Sequence, residues 1–403
     1  MTRILLELFD SDSMDNIISL QIRRYDAAVF FCPEGAVPGE RTRRLLKELV
    51  GKKMGTAVEF LAVSDDSVES ALSGFKAAIG DMRRDYGEDT VFEIDLTGGN
   101  ELLIAAAGAL LRGNDLNACV SAHRVNIVTG RAVRVFGKLQ QAPAPLRKLD
   151  FKDIVTLTSG KVISIAGGDS YDFTSGQLRS EVLKLWNAIK GYASEWNRFC
   201  SFTYPEGVDP DGNGFMYRGV SKQGEAEIAG RIMTTLRKHG IVTEYSLEDE
   251  TLKYKLAPAC VTHPMYITGG TVLEMYTAVA AATAGKFTDV AVQVVLDFDG
   301  VITNRPADPC NELDVTFMWG LTPVFVSCKN TEPTKEYLYE IETMRTHFGG
   351  KSAVAMLVTT PKALDPVRQR AREMGVVLLD GAGELTLKEF RAKLTGKLTE
   401  LKG

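Results

Sequence analysis

In the stretch NELDVTFMWGLTPVFVSCKN, Asn311 to Asn330, two carboxylates stand two residues apart and a lysine follows fifteen residues after the second. Glu312 and Asp314 are hard oxygen donors of the kind that hold Mg²⁺ or Mn²⁺. An ammonium such as Lys329 can orient a water or stabilise negative charge at a phosphate. A metal-bound water has a lowered pKa, so the three together form an inventory for metal-assisted attack on a phosphate ester.

Periodicity says what positions them. Leu313, Val315 and Phe317 alternate with Glu312, Asp314 and Thr316, the period of a half-buried strand. PVFVSCKN is a second short apolar run, and Gly320-Leu321-Thr322-Pro323 between them reads as a turn. The expectation is a β-hairpin with Asp314 and Lys329 near one end, Glu312 on the strand face of Asp314, and Ser327 beside Lys329. By the same alternation Cys328 points into the core, and Asn311 reads as a turn residue. GGTVLEMYTAVAA, a helix before the hairpin, offers Glu274 as a further acid.

The totals bound the rest. A chain of 403 residues is long enough for two or three domains, and 45% hydrophobic with 25% charged residues fits an ordinary globular protein. No apolar window approaches a membrane span and the first residues have no signal-peptide layout. Cys32, Cys119, Cys200, Cys260, Cys310 and Cys328 follow no metal or disulfide spacing, which points to free thiols and a cytoplasmic setting. A net charge of -5 argues against nucleic-acid binding, although residues 351–403 carry ten Lys or Arg against six Asp or Glu.

The first ~140 residues alternate apolar runs (TRILLELF, DAAVFFCP, TAVEFLAV, VFEIDL) with amphipathic stretches, which predicts an α/β unit with a largely parallel sheet. Ligands in such folds lie at the carboxyl ends of the strands. Two strand ends stand out. Asp95-Leu96-Thr97-Gly98-Gly99-Asn100 runs from a strand into the Ala-rich helix ELLIAAAGALL, where glycines and free helix N-H groups suit an anion, with Thr97 and Asn100 as side-chain donors. The polar loop Asp10-Ser11-Asp12-Ser13 follows the first strand. The plainer reading is that residues 97–100 only cap the helix.

A linker, QQAPAPLRKLD, comes next. QLRSEVLKLWNAIKGYASEW reads as one helix, with Trp186 and Trp196 on its packing face, and YPEGVDPDGNG reads as a loop. GEAEIAGRIMTTLRKHGIV then TEYSLEDETLKYKLAP gives helix, glycine, hairpin, the layout of a winged-helix module. From about Val261 the order is helix, three-stranded meander, helix, strand, helix, with His263 in the loop that opens it.

A strand ending in D-x-TGG, opening into an Ala-rich helix within an N-terminal Rossmann-like unit, resembles the CRISPR-associated Rossmann fold (CARF). That resemblance implies a homodimer binding a cyclic oligoadenylate through Ser11, Asp12, Ser13, Thr97, Gly98, Gly99 and Asn100. Many CARF relatives have Thr-Lys after the glycines, and this chain has Asn100-Glu101. Cyclic tetra-adenylate is the leading candidate, with ring size open. The hairpin resembles the PD-(D/E)xK nucleases, which implies Asp314, Glu312 and Glu274 as Mg²⁺ or Mn²⁺ ligands and Lys329 as the lysine. Ser327 departs from the pattern, which has an acid there.

Together the resemblances imply a CARF sensor (1–145), a linker and winged-helix-like region (146–260) and a PD-(D/E)xK, restriction-endonuclease-like domain (261–403). The implied activity is cyclic-oligoadenylate-activated cleavage of DNA and/or RNA in type III CRISPR defence. Two rivals remain. LDFDGVITN matches the first motif of haloacid-dehalogenase-type phosphatases, with Asp297 as nucleophile, Asp299 as acid, and Thr359 and Asp380 as later candidates. The other is a non-catalytic nucleotide sensor acting through the winged-helix region, which loss of Asp314 or Lys329 would leave functional.

Overall fold

The computed structural model describes residues 2–12, 14–113, 119–126, 130–137, 149–158, 160–168, 171–174, 176–208, 215–220, 223–258, 270–301 and 310–401. The strands fall into three sheets. The first comprises β1 (Arg3–Leu8), β2 (Ala27–Pro33), β3 (Ala57–Val63), β4 (Val91–Asp95), β5 (Val120–Asn126) and β6 (Arg131–Phe136), in the order β3-β2-β1-β4-β5-β6. All its pairings are parallel except β5 with β6.

Every residue of β2 is buried, because helices cover both faces of the sheet. Leu5, Ala28 and Phe30 pack toward α1 (Ile18–Ile22) and α2 (Glu40–Met54). Leu6, Val29 and Phe31 pack toward α3 (Val68–Tyr86) and α4 (Glu101–Arg112). The chain order reverses between β1 and β4, and in a doubly wound sheet that switch point opens a crevice at the carboxyl ends of the strands. The expected α/β fold with a largely parallel sheet is the observed one.

The next segment holds α5 (Phe151–Leu157), β7 (Lys161–Ile165), α6 (Gly176–Ile189), α7 (Ala193–Phe202), β8 (Thr203–Val208), β9 (Phe215–Val220), α8 (Gln223–Lys238), β10 (Val242–Glu248) and β11 (Thr251–Leu256). Helix α8, Gly240 at φ +62° and the β10–β11 hairpin reproduce the expected helix-glycine-hairpin run. The antiparallel sheet has four strands, β10-β11-β9-β8.

Two expectations are corrected. The predicted single helix over 177–196 is broken by a 3-10 turn at Lys190–Tyr192, around Gly191. The predicted loop YPEGVDPDGNG has its first residues, 204–208, in β8, where pairing with β9 overrides turn propensity. Its residues 209–214 lie outside the described residues, as do His263 and most of the QQAPAPLRKLD linker.

The last sheet is built from β12 (Thr288–Asp297), β13 (Cys310–Trp319), β14 (Thr322–Lys329), β15 (Val354–Thr359) and β16 (Val377–Leu379), in the order β16-β15-β14-β13-β12-β7. Strand β7 joins it as an edge strand antiparallel to β12, so the sheet draws on chain well before residue 261. The predicted hairpin is present, closed by Gly320-Leu321 with Trp319 opposite Thr322 and Gly320 at φ +65°. Asn311, expected in a turn, is a strand residue opposite Leu296.

Helices α9 (Thr271–Ala282) and α12 (Leu387–Glu400) cover one face of this sheet. Helix α5 covers the other, with α10 (Lys335–Gly349) and α11 (Asp365–Met374). Trp186 and Trp196 are buried as expected, and Trp186 stacks on Tyr276 of α9 with ring centroids 4.7 Å apart, fixing the middle region to the last sheet.

Asp380, just after β16, ties α11 to this sheet. Burial alone would push its carboxyl up, but the Arg368 guanidinium, with Nη2 at 2.7 Å, and the Ala363 N-H hold it below the usual carboxylate range. A carboxyl lowered on folding adds stability above its unfolded pKa of about 3.9, and that stability is lost as pH falls through the folded value. Asp380→Asn is therefore expected to lower Tm at pH 7 and to flatten the loss of stability below about pH 4. Denaturant melts from pH 7 to pH 3 would show this, and parallel curves for the two proteins would refute it.

Candidate functional site

Two centres emerge, one at the end of the β13–β14 hairpin and one at the β1/β4 switch point. In the first, the last paired residues of the ladder are Val315 and Val326. One step beyond, the Asp314 carboxylate sits between the strands. Its Oδ2 accepts the Cys328 N-H at 2.6 Å and the Ser327 hydroxyl at 3.2 Å, and lies 3.8 Å from Lys329 Nζ. Burial raises the Asp314 carboxyl, against the opposing pull of Lys329, the Cys328 amide and Ser327. Lys329 rests over the ring of Tyr337, the third residue of α10, at 5.2 Å. Cys328 is buried, with Sγ 3.7 Å from the Thr277 hydroxyl, as expected of a core residue.

Glu274, in the first turn of α9, is a second acid here and is buried, whereas Asp314 is part-buried. Gly270 makes room for it, since a Cβ there would stand 3.0 Å from Glu274 Oε1. Burial pushes the Glu274 carboxyl up to about 8, with the charges of Asp314 and Glu312 adding to the rise and Gln293 and Lys329 opposing it. Glu312 is exposed. The simple alternation expected of its strand does not hold. Leu313 packs with the α10 side of the sheet, whereas Val315 and Phe317 pack with the α9 side. The strand changes face at Asp314, so alternation no longer places Glu312 and Asp314 together, and the link is the reach of both charges to Glu274.

Among the described residues no three His, Cys, Asp or Glu side chains form a group able to hold a metal ion. The donor set still suits a hard dication, because Mg²⁺ is usually held by one or two carboxylates, with waters and substrate phosphates completing the shell. Buried Glu274 and part-buried Asp314, both with pKa raised chiefly by burial, face one lysine, and a hard dication would favour their charged forms.

The phosphatase constellation is not assembled. Asp297, buried at the end of β12, and Thr359, at the end of β15, are three strand positions apart, about 14 Å at ~4.8 Å per strand. The Thr359 hydroxyl donates to the Pro361 carbonyl and Asp380 is paired with Arg368. Asp299 lies in the bend after β12, its Oδ1 accepting the Val301 N-H at 2.8 Å.

The second centre lies where the sheet order predicts. Asp95 ends β4, and Asn100 caps α4 with Oδ1 accepting the Leu103 N-H at 2.8 Å. The Thr97 hydroxyl, expected to be a donor to ligand, donates to Asp95 and accepts the Val125 N-H at 2.7 Å. The glycines have a packing reason. A Cβ on Gly98 would lie 2.9 Å from Asp15 Cβ, and one on Gly99, at φ +101°, would lie 2.5 Å from Leu8 Cβ.

The loop after β1 is locked internally. Asp10 Oδ2 accepts the Gly99 N-H at 3.0 Å, and Asn16 donates to the carbonyls of Asp10 and Asp12. Ser11 is exposed, and Ser13 lies outside the described residues. Asp12, expected to face ligand, is buried. Its carboxylate accepts the N-H groups of Met14 at 3.0 Å and Lys351 at 2.7 Å.

That last bond ties the second centre to the turn that follows α10. Lys351 follows α10, its Nζ is 3.9 Å from Asp10, and a Cβ on Gly350 would stand 2.6 Å from Asp12 Oδ2. Beside this bridge a cleft of about 470 Å³ is lined by Asp15, Thr97, Arg124, Asn126 and Lys351, among others. Burial and the neighbouring Asp12 and Asp10 raise the Asp15 carboxyl to about 7. Asp15, Arg124, Asn126 and Lys351 were not singled out in the sequence. Only Asp15, two residues past the polar loop after β1, stood near a local signal there.

The chain thus joins a Rossmann-like domain with a polar switch-point crevice to a sheet whose splayed hairpin end pairs an aspartate with a lysine. Residues 263–395, about a third of the chain, match the family model of the Card1-like endonuclease domain. Two solved structures share the fold over almost the whole chain. Protein VC1899 from Vibrio cholerae has a TM-score of 0.71 at 16% identity, covering 98% of both chains. Can2 from Sulfobacillus thermosulfidooxidans, in complex with cyclic tetra-adenylate, has a TM-score of 0.63 at 13% identity, covering 98% of this chain and 99% of that one. No curated protein matches the sequence.

Proposed function

We propose that this chain is a metal-dependent endonuclease of type III CRISPR defence that acts on DNA and/or RNA and is activated by a cyclic oligoadenylate. The observation that carries the reading is the Asp314–Lys329 pair at 3.8 Å, at the splayed end of a hairpin inside the endonuclease-type domain. Asp314 and Glu274, with Glu312 at the rim, would hold Mg²⁺ or Mn²⁺. Such an ion supplies an acidified water and offsets charge on the phosphate. Lys329 orients the attacking water and stabilises the developing oxyanion. Ser327 holds the Asp314 carboxylate in place through its hydroxyl, in the position where the family pattern has an acid.

The activator would bind at the switch point, at the loop of Ser11, Asp12 and Ser13 and at Thr97, Gly98, Gly99 and Asn100. Asp12 and Thr97 would contribute by shaping the loops, since their side chains are already engaged. Cyclic tetra-adenylate, the ligand in the Can2 complex, is the leading candidate, shared by the two chains of a homodimer. Helix α10 supplies a route to the nuclease, running about 18 Å from Tyr337 beside Lys329 to its end at Gly349, next to the bridge at Asp12. A ligand switches the enzyme only by favouring one arrangement of such a contact over another. Among the described residues no helix is long and apolar enough to cross a membrane, and a cytoplasmic setting is part of the proposal.

Calorimetric titration with cyclic tri-, tetra- and hexa-adenylate tests the sensor half. Saturable binding of one ring per two chains, selective for one ring size, is expected. Heats no larger than dilution for all three would contradict it.

A further inference from the structure

Gln293, in the middle of β12, has φ +49°, the left-handed region that non-glycine residues seldom enter. A bulge would be the usual reason for such a residue, but the one irregularity against β13 falls earlier, between Thr288 and Ala291, and none falls at Gln293. Val292 pairs with Val315 and Val294 with Leu313, so the register is the same on both sides and Gln293 falls opposite Asp314.

The side chains reveal what the backbone accomplishes. In a regular strand residues two apart share a face. Here Val292 and Val315 pack on the α9 side, while Val294 and Leu313 pack on the α10 side. Both strands therefore change face together, at the Gln293–Asp314 pair. In the neighbouring strand β14 alternation is intact, with Val324 and Val326 on one side and Phe325 on the other. At this single step Glu274, carried by α9, interacts with Asp314, whose lysine partner rests on Tyr337 of α10. The Gln293 amide completes the arrangement. Its Nε2 donates to Glu274 Oε2 and to the Thr271 hydroxyl, both at 3.1 Å.

We propose that Gln293 is a positioning residue for the metal-binding carboxylates: its left-handed backbone creates the face change that brings Glu274 and Asp314 into one site, and its amide holds Glu274 in place. Residues in sparsely populated backbone regions persist where the surroundings require them, and they gather at functional sites. Side chains that orient a metal's ligands typically affect affinity by about 10–100-fold. The inference rests on the nuclease reading of Asp314 and Glu274 above.

Gln293→Gly separates backbone from amide, because glycine adopts φ +49° without strain. Three readouts are taken on the full chain: Tm without metal, Mn²⁺ affinity by calorimetry, and cleavage across a Mn²⁺ titration. The expected result is a Tm equal to or above the wild type, with Mn²⁺ affinity lower by about 10–100-fold. Cleavage should be weak at low Mn²⁺ and recover as Mn²⁺ is raised. Gln293→Val, which disfavours the left-handed region, is expected to lower both Tm and Mn²⁺ affinity. Mn²⁺ affinity within twofold of the wild type in Gln293→Gly overturns the inference and leaves the nuclease reading standing. A wild type that neither binds Mn²⁺ nor cleaves overturns the nuclease reading, and this inference with it.

Discussion

Lys329→Ala is expected to lower metal-dependent cleavage by at least about 10²–10³-fold, the usual cost of removing one preorganised group that stabilises charge in the transition state. Stability and cyclic-nucleotide binding should be nearly unaffected. The contacts of Lys329 support that separation. Its ammonium is partly exposed, 3.8 Å from Asp314 and over the Tyr337 ring, and such a pair contributes about 0–1 kcal/mol to folding. Asp314 would retain the Cys328 N-H and the Ser327 hydroxyl, so the hairpin end should keep its shape. A variant that cleaves as well as the wild type would remove Lys329 from the mechanism and favour a sensor without catalysis. Loss of ligand binding together with cleavage would sink the division of labour between the two centres.

Gly99→Ala should have the second large effect, through the sensor. The added Cβ would stand 2.5 Å from Leu8 Cβ, and the backbone is at φ +101°. Because Leu8 is buried at the end of β1, the loop must move rather than the side chain. Strain of this kind costs about 1–3 kcal/mol, and moving the loop would break the Gly99 N-H bond to Asp10. The expected outcome is a lower Tm for the N-terminal domain and loss of activation by the cyclic nucleotide. Gly108→Ala in α4 is the control. A Cβ there meets nothing within 4 Å, and alanine in a helix interior is favoured by roughly 0.5–1 kcal/mol. Equal behaviour of the two variants would show that the close packing at Gly99 does not matter.

Much of the architecture could be read from local pattern. Apolar runs such as DAAVFFCP mark strands buried on both faces, and Gly320 marks a two-residue turn whose positive φ it can supply. Asp314, Ser327 and Lys329 do converge, because a hairpin fixes register over a short span. Several features were hidden because they depend on distant partners. β7 is a strand only through its pairing with β12, and Tyr204–Val208 only through β9. Lys351 meets Asp12 across more than three hundred residues, with no pattern at either end to announce it. The change of face at Gln293 and Asp314 defeats alternation itself, since a period of two presumes regular backbone. A glutamine in left-handed conformation leaves no mark in composition.

The central claim is that one chain couples a cyclic nucleotide to metal-dependent cleavage. Its most direct test is a cleavage assay with Mn²⁺ on labelled single- and double-stranded DNA and RNA, with and without cyclic tri-, tetra- and hexa-adenylate. The account predicts cleavage only when metal and one ring size are both present. Cleavage indifferent to every ring, or none on any substrate, would contradict it.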